Sequence, residues 1–366
     1  LSMYPFAVTK PNPSSYFWAA ALLFCLSSWG CTNPEETTVV VDPPTEQPKT
    51  FTNPVYNVGP DPWVIQHDST YYVTYTTGRN ITLIATKRMS ELNTGNAQAR
   101  VVWTPPATGF NSKEIWAPEL HRINGVWYVY YAASDGENRN HRMWVLANDN
   151  LDPLTDNWED LGELELPDDK WAIDGSPVEI GGQRYFAWSG WEGDVNVRQL
   201  IYLAEMETPT RVVGDRVKIL EPTENWEKNN VSPEVTEGPQ FLQRGDFVFL
   251  FYSAGGCWTD GYSIGALWMD KNADPMLAES WSRIDTNPLF VSNASAQAYG
   301  PGHNSFFTSR DGTEDWILYH ANPRQGMGCG DDRSIRMQKI TYAPNGFPLL
   351  GQPAALGQRI PVPAGE

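Results

Sequence analysis

One motif recurs five times along this chain, and it restricts the fold more than any other feature. An aromatic residue followed by two small or polar ones appears at Tyr75-Thr76-Thr77, Tyr131-Ala132-Ala133, Trp188-Ser189-Gly190, Tyr252-Ser253-Ala254 and Tyr319-His320-Ala321. The intervals are 56, 57, 64 and 67 residues. Each copy follows a turn: His67-Asp68-Ser69-Thr70, Asn124-Gly125, Gly181-Gly182, Arg244-Gly245-Asp246 and Asp311-Gly312. Asn-Gly, Gly-Gly and Asp-Gly pairs favour tight hairpin turns, because these residues reach positive φ at little cost. Five such hairpins, each followed by short apolar strands, predict an all-β chain folded as a five-bladed β-propeller. Two packed β-sandwiches do not account for five copies of one hairpin. A parallel α/β fold needs helical periodicity between its strands, and none stands out.

Composition agrees with this reading. The 366 residues include 16 Trp, 16 Tyr, 30 Gly and 29 Pro, which suits short strands and tight turns and disfavours long helices. Aromatic rings are also platforms for sugars. A formal net charge of -18 repels phosphate and speaks against nucleic acid as a partner.

The N-terminal residues read as an address rather than a fold. Met3 is a plausible start, Lys10 supplies a positive charge, and Tyr16 to Trp29 is almost uncharged and mostly apolar. That stretch is short for a membrane span and right for a secretory signal. It ends at Ser28-Trp29-Gly30-Cys31, which suggests a bacterial lipoprotein acylated on Cys31. The expected layout is a signal over residues 1–31, a Pro/Thr/Glu-rich linker over 32–50, and the propeller over 51–366. An exported protein, held at a membrane only through that lipid, is the expected location. Cys257 and Cys329 follow the end strands of adjacent blades, so a disulfide between them is allowed. It would close 72 residues, worth about 4 kcal/mol at most by chain entropy.

The start of each hairpin carries chemistry. Asp61, Ala117 and Asp174 each stand 14 residues before their marker aromatic, Glu237 stands 15 before and His303 stands 16 before. Inner strands of a propeller converge on its axis, so these positions should share one funnel. Unpaired buried carboxylates are strongly unfavourable, and three of them with a histidine make a poor core but a good reaction site. Taken singly, Asp61 and Asp174 are also ordinary turn formers, and Glu237 is one acid among many.

These contexts, with Trp116-Ala117-Pro118-Glu119 and Gly302-His303-Asn304, resemble glycoside hydrolase family 43 over residues 51 to 352. The resemblance implies an inverting hydrolase with Asp61 as general base and Glu237 as general acid. Asp174 would be the third carboxylate, tuning and holding the acid. Inversion needs two carboxyls about 6.5–9.5 Å apart with a water between base and sugar. Glu237 must then be protonated at working pH, which repulsion from Asp174 would favour. The resemblance further implies that Arg333 reaches the sugar, with Arg336 as the fallback. It places His303 near the axis, as a substrate contact or as a calcium ligand, direct or through water. Trp116 would stack on sugar or pack between blades, and Glu119 would brace the channel wall. Trp158, Trp226 and Trp281 read as packing between blades.

The implied substrates are arabinan, arabinoxylan or derived oligosaccharides, cleaved by an α-L-arabinofuranosidase working as a monomer. No cofactor is required for the chemistry, and a structural calcium is the one expected ion. A β-xylosidase or endo-arabinanase of the same family, and a non-catalytic sugar-binding propeller, stay open at this point.

Overall fold

The computed structural model describes residues 49–366. Cys31, the signal and the linker as far as residue 48 lie outside the described residues. Thr50 belongs to the fold, since Thr50–Phe51 pairs with Ile360–Pro361. Among the described residues, no helix is long and apolar enough to cross a membrane.

The hairpins predicted from the repeat are the first two strands of five antiparallel sheets. Sheet one is Trp63–His67, Thr70–Thr74, Ile81–Thr86 and Gln98–Trp103. Sheet two is Lys113–Ile123, Val126–Ser134, Arg142–Asn148 and Glu159–Glu163. Sheet three is Ala172–Ile180, Gln183–Gly190, Arg198–Thr208 and Arg211–Leu220. Sheet four is Glu234–Arg244, Phe247–Ala254, Ser263–Asp270 and Ser282–Arg283, tied to sheet three by a short parallel pairing of Arg198 and Gln199 with Glu234 and Val235. Sheet five is Tyr299–Thr308, Asp315–Asn322 and Ser334–Lys339. The first strand of each sheet lies beside the first strand of the next, and Tyr299–Thr308 lies beside Trp63–His67. The ring therefore closes. Its closure is reinforced at the edge of sheet five, where the Val55 amide donates to the Ile335 carbonyl and the Ile335 amide to the Tyr56 carbonyl, both at 2.9 Å.

Stacked blades bury both faces of their central strands, so these strands read as apolar runs rather than alternating ones. Phe247–Ala254 shows the consequence. Val248, Leu250 and Tyr252 pack with Ile201 and Leu203 of blade three, while Phe249 and Phe251 pack with Ile317 and Tyr319 of blade five. Burying one such side chain fully stabilises by about 1.5–3 kcal/mol. Trp281 is buried between blades three and four, and Trp226 and Trp158 pack against neighbouring clusters, in keeping with their reading as packing residues.

A feature of the backbone positions the site. Asp61, Ala117, Asp174 and His303 have φ of 54°, 41°, 56° and 45°, and Gly238 has φ of 59°. In blades two to five the strand register is interrupted at these residues. Each blade thus carries a left-handed residue at its repeat position. This conformation costs a non-glycine residue about 1–2 kcal/mol, and it bends the strand so that consecutive side chains no longer simply alternate across the sheet.

Candidate active site

The structure brings Asp61, Asp174, Glu237, Trp116, His303 and Arg333 together around one cavity of about 410 Å³. Asp61 precedes the inner strand of blade one, and Asp174 and His303 occupy the kinks of blades three and five. Glu237 sits one residue before the kink of blade four, which falls on Gly238. Counting 14 residues back from Tyr252 also reaches Gly238 rather than Glu237, so the acid is offset by one from the other carboxylates. Gly238 suits this place. A Cβ there would lie 3.3 Å from the His303 ring, at a φ that side chains disfavour.

Asp61 is surrounded by donors. Thr76 Oγ1 donates to its Oδ2 at 2.7 Å, and Arg333 Nη1 to its Oδ1 at 3.1 Å. His303 Nδ1 lies 3.3 Å from Oδ1. Burial pushes the Asp61 carboxyl up, but the Arg333 charge, with the His303 ring beside it, outweighs burial and holds the group well below the usual carboxylate range. Its own amide donates to His320 Nδ1 at 3.0 Å. That bond makes Nδ1 an acceptor and leaves the ring proton on Nε2. Burial, then the Arg333 charge, pushes His320 down to about 4, so the ring is neutral near pH 7.

Glu237 has the opposite surroundings. It is buried, and Tyr262 donates to its Oε1 at 2.7 Å. Burial pushes it up to about 7, with the Asp61 charge adding and Tyr262 and Arg333 opposing. Desolvation by burial is the first cause, ahead of any like-charge repulsion. The expected repulsion between Asp174 and Glu237 is present in the pair: burial, then Glu237 and Asp61, push Asp174 well above its ordinary value. The Gly238 amide donates to Asp174 Oδ2 at 3.1 Å, tying the third carboxyl to the backbone beside the acid.

Glu119 is buried between His121, whose Nε2 lies 2.9 Å from Oε2, and Gln240, which donates to Oε1. Both oxygens are occupied, in keeping with its reading as a brace. Trp116 lines the cavity and stacks on the His141 ring at 4.0 Å. Arg336 is fully buried in blade five and does not line the cavity, so the fallback arginine is set aside. Among the described residues no three His, Cys, Asp or Glu side chains are grouped to hold a metal directly.

Several neighbours lie outside the predicted set. Thr76 and His320 are the residues next to the marker aromatics of blades one and five, so the repeat carried them without showing their use. Tyr262 stacks parallel on His320 at 5.8 Å, and Gly302 makes room for it, since a Cβ there would lie 2.1 Å from its ring. Nothing in the sequence around Tyr262 separates it from the other tyrosines. Trp171 and Trp258 also line the cavity.

Fold and funnel define a class: five-bladed propellers whose axial cavity is built on three unlike carboxyl groups. Within it, this chain belongs to the glycosyl hydrolases family 43, whose model matches residues 51–348. An extracellular exo-alpha-(1->5)-L-arabinofuranosidase of Streptomyces chartreusis is 35% identical over 280 residues, covering 75% of this chain and 83% of that protein. The enzyme of the same name from Streptomyces avermitilis is 34% identical over 316 residues, covering 84% of this chain. The chain spans 64% of that relative's length. The crystal structure of an alpha-L-arabinofuranosidase from Lactobacillus brevis superimposes with a TM-score of 0.78 at 32% identity, covering 84% of this chain and 98% of that one.

Proposed function

We propose that this protein is an inverting α-L-arabinofuranosidase that removes arabinose from arabinan or related arabinose-bearing saccharides. The observation that carries the chemistry is the opposite bias of two carboxyls in one cavity. Asp61, held ionised by Arg333 and its neighbours, takes a proton from a water, whose oxygen attacks the anomeric carbon. Glu237, protonated up to about pH 7, gives its proton to the departing glycosidic oxygen. Asp174 is the third carboxyl, and its bond to the Gly238 amide keeps it beside the acid. Arabinose and release from a chain end are supported by the names of the Streptomyces relatives. All the side chains named come from one chain, so a monomer suffices. The test is a panel of nitrophenyl glycosides with linear arabinan, followed by proton NMR of the first product. Arabinofuranoside cleavage, single arabinose units and an inverted anomer are expected. Activity on xylosides alone or initial retention overturns the reading.

Export is supported by the apolar run ending at Cys31 and by relatives named extracellular. Mass spectrometry of the mature protein should find a diacylglyceryl peptide starting at Cys31. A calcium ion near the axis, held through water rather than by direct ligands, belongs to the same proposal. Asn304, next to His303, is buried with both its amide oxygen and nitrogen unpartnered, which suits ordered water. Exhaustive chelation should lower the melting temperature, and calcium should restore it.

A further inference from the structure

Cys257 and Cys329 are joined as a disulfide with Cα atoms 5.2 Å apart, and both half-cystines line the cavity. This tie links the loop after Phe247–Ala254 of blade four to the loop between Asp315–Asn322 and Ser334–Lys339 of blade five. Arg333 lies at the end of that second loop. Its guanidinium makes three contacts of known direction. Nη1 donates to Asp61 Oδ1 at 3.1 Å, Nη2 to the Cys329 carbonyl at 3.0 Å and Nε to the Gly330 carbonyl at 3.1 Å. Two of the three partners that aim the planar fork are therefore the half-cystine itself and the residue after it.

We propose that the Cys257–Cys329 disulfide is a positioning element of the reaction site, fixing the two carbonyls that aim Arg333 at Asp61. The inference rests on the reading of Asp61 as the base. The other ties on the loop are single hydrogen bonds, among them one on Arg333 itself, whose carbonyl accepts from the Gly59 amide at 2.8 Å. Asn322 Nδ2 donates to the Gly328 carbonyl at 2.9 Å, and the Gly326 amide donates to Asp260 Oδ1 at 2.9 Å. A single hydrogen bond contributes only modest net stability and reforms freely once broken, so none of these replaces a covalent link. A planar guanidinium is directional, and a misplacement of about 1 Å at a reaction site can cost about a hundredfold in rate. The disulfide acts through Arg333 and touches no reacting atom in this scheme.

A double-mutant cycle on the full chain tests this, with kcat/KM on nitrophenyl α-L-arabinofuranoside as one readout. The Cys257→Ser/Cys329→Ser variant should lose about tenfold or more, and Arg333→Lys should lose a comparable factor. Combined, they should lose no more than about twofold beyond the larger of the two. Losses that multiply in the combination would overturn the proposal, as would full activity without the disulfide. Hydrogen exchange gives a readout free of substrate. Residues 326–333 should lose protection in the serine variant while the inner strand Tyr299–Thr308 keeps it. Unchanged protection at 326–333, or equal loss throughout the domain, points to no role or a merely structural one and also overturns it. If the serine variant does not fold, the same exchange comparison is made on folded wild-type protein before and after reduction with a phosphine. An oxidised wild type without arabinofuranosidase activity would count against the proposed function, while the exchange result would still decide the role of the disulfide.

Discussion

Asp61 and Glu237 are two carboxyls buried in the same funnel, and their neighbours drive them in opposite directions. The difference lies in what each blade brings close. At Asp61 an arginine, a threonine hydroxyl and the His303 ring converge on the carboxylate, and the charged form wins against burial. At Glu237 the single strong donor is Tyr262, and burial wins. Two groups of nearly equal intrinsic acidity thus become a base and an acid without any difference in their own chemistry.

Removing the base should break this comparison most completely. Asp61→Asn should lower kcat by about 10³–10⁴-fold on every glycoside, because no leaving group substitutes for an activated water. Steady-state rates on arabinan and on a nitrophenyl arabinofuranoside would show equal losses. Glu237→Gln should cost about 10²–10³-fold on arabinan and far less on substrates with acidic leaving groups, which need little protonation. Equal losses on both substrates would remove Glu237 from the role of acid.

A smaller effect sharpens the comparison. Since Glu237 must carry its proton, activity should fall as pH rises through about 7. Tyr262 stabilises the ionised form by donating to it, so Tyr262→Phe should raise the Glu237 value and move that alkaline limb to higher pH. A limb that stays in place, or moves down, contradicts the assignment. Least of all, Gly238→Ala should destabilise the fold by about 1–2 kcal/mol in urea unfolding, from its positive φ and its approach to His303.

The fold was legible in the sequence because a propeller repeats itself. Turn pairs such as Asn124-Gly125 and Asp311-Gly312 fix hairpins locally, and each hairpin became the first two strands of a sheet. Asp61, Asp174 and Glu237 were legible for a related reason, since strands that converge on an axis bring distant carboxylates to one place. The family's motifs then supplied roles for them that position alone does not.

Tertiary structure alone decided the rest. The count of 14 back from Tyr252 reaches Gly238, but only the folded backbone shows that this residue carries the kink of blade four and that the acid one place before it lines the cavity. Tyr262, Thr76 and His320 act through contacts across blades or around a strand end, and no local pattern separates them from residues that only pack. The ionisation of each carboxyl is likewise a sum over neighbours far apart in the chain, such as Arg333 on Asp61. Local chemistry sets which strands form and how often they repeat. The charge state of a buried group depends on every donor that folding brings within reach, and that is a property of the assembled ring.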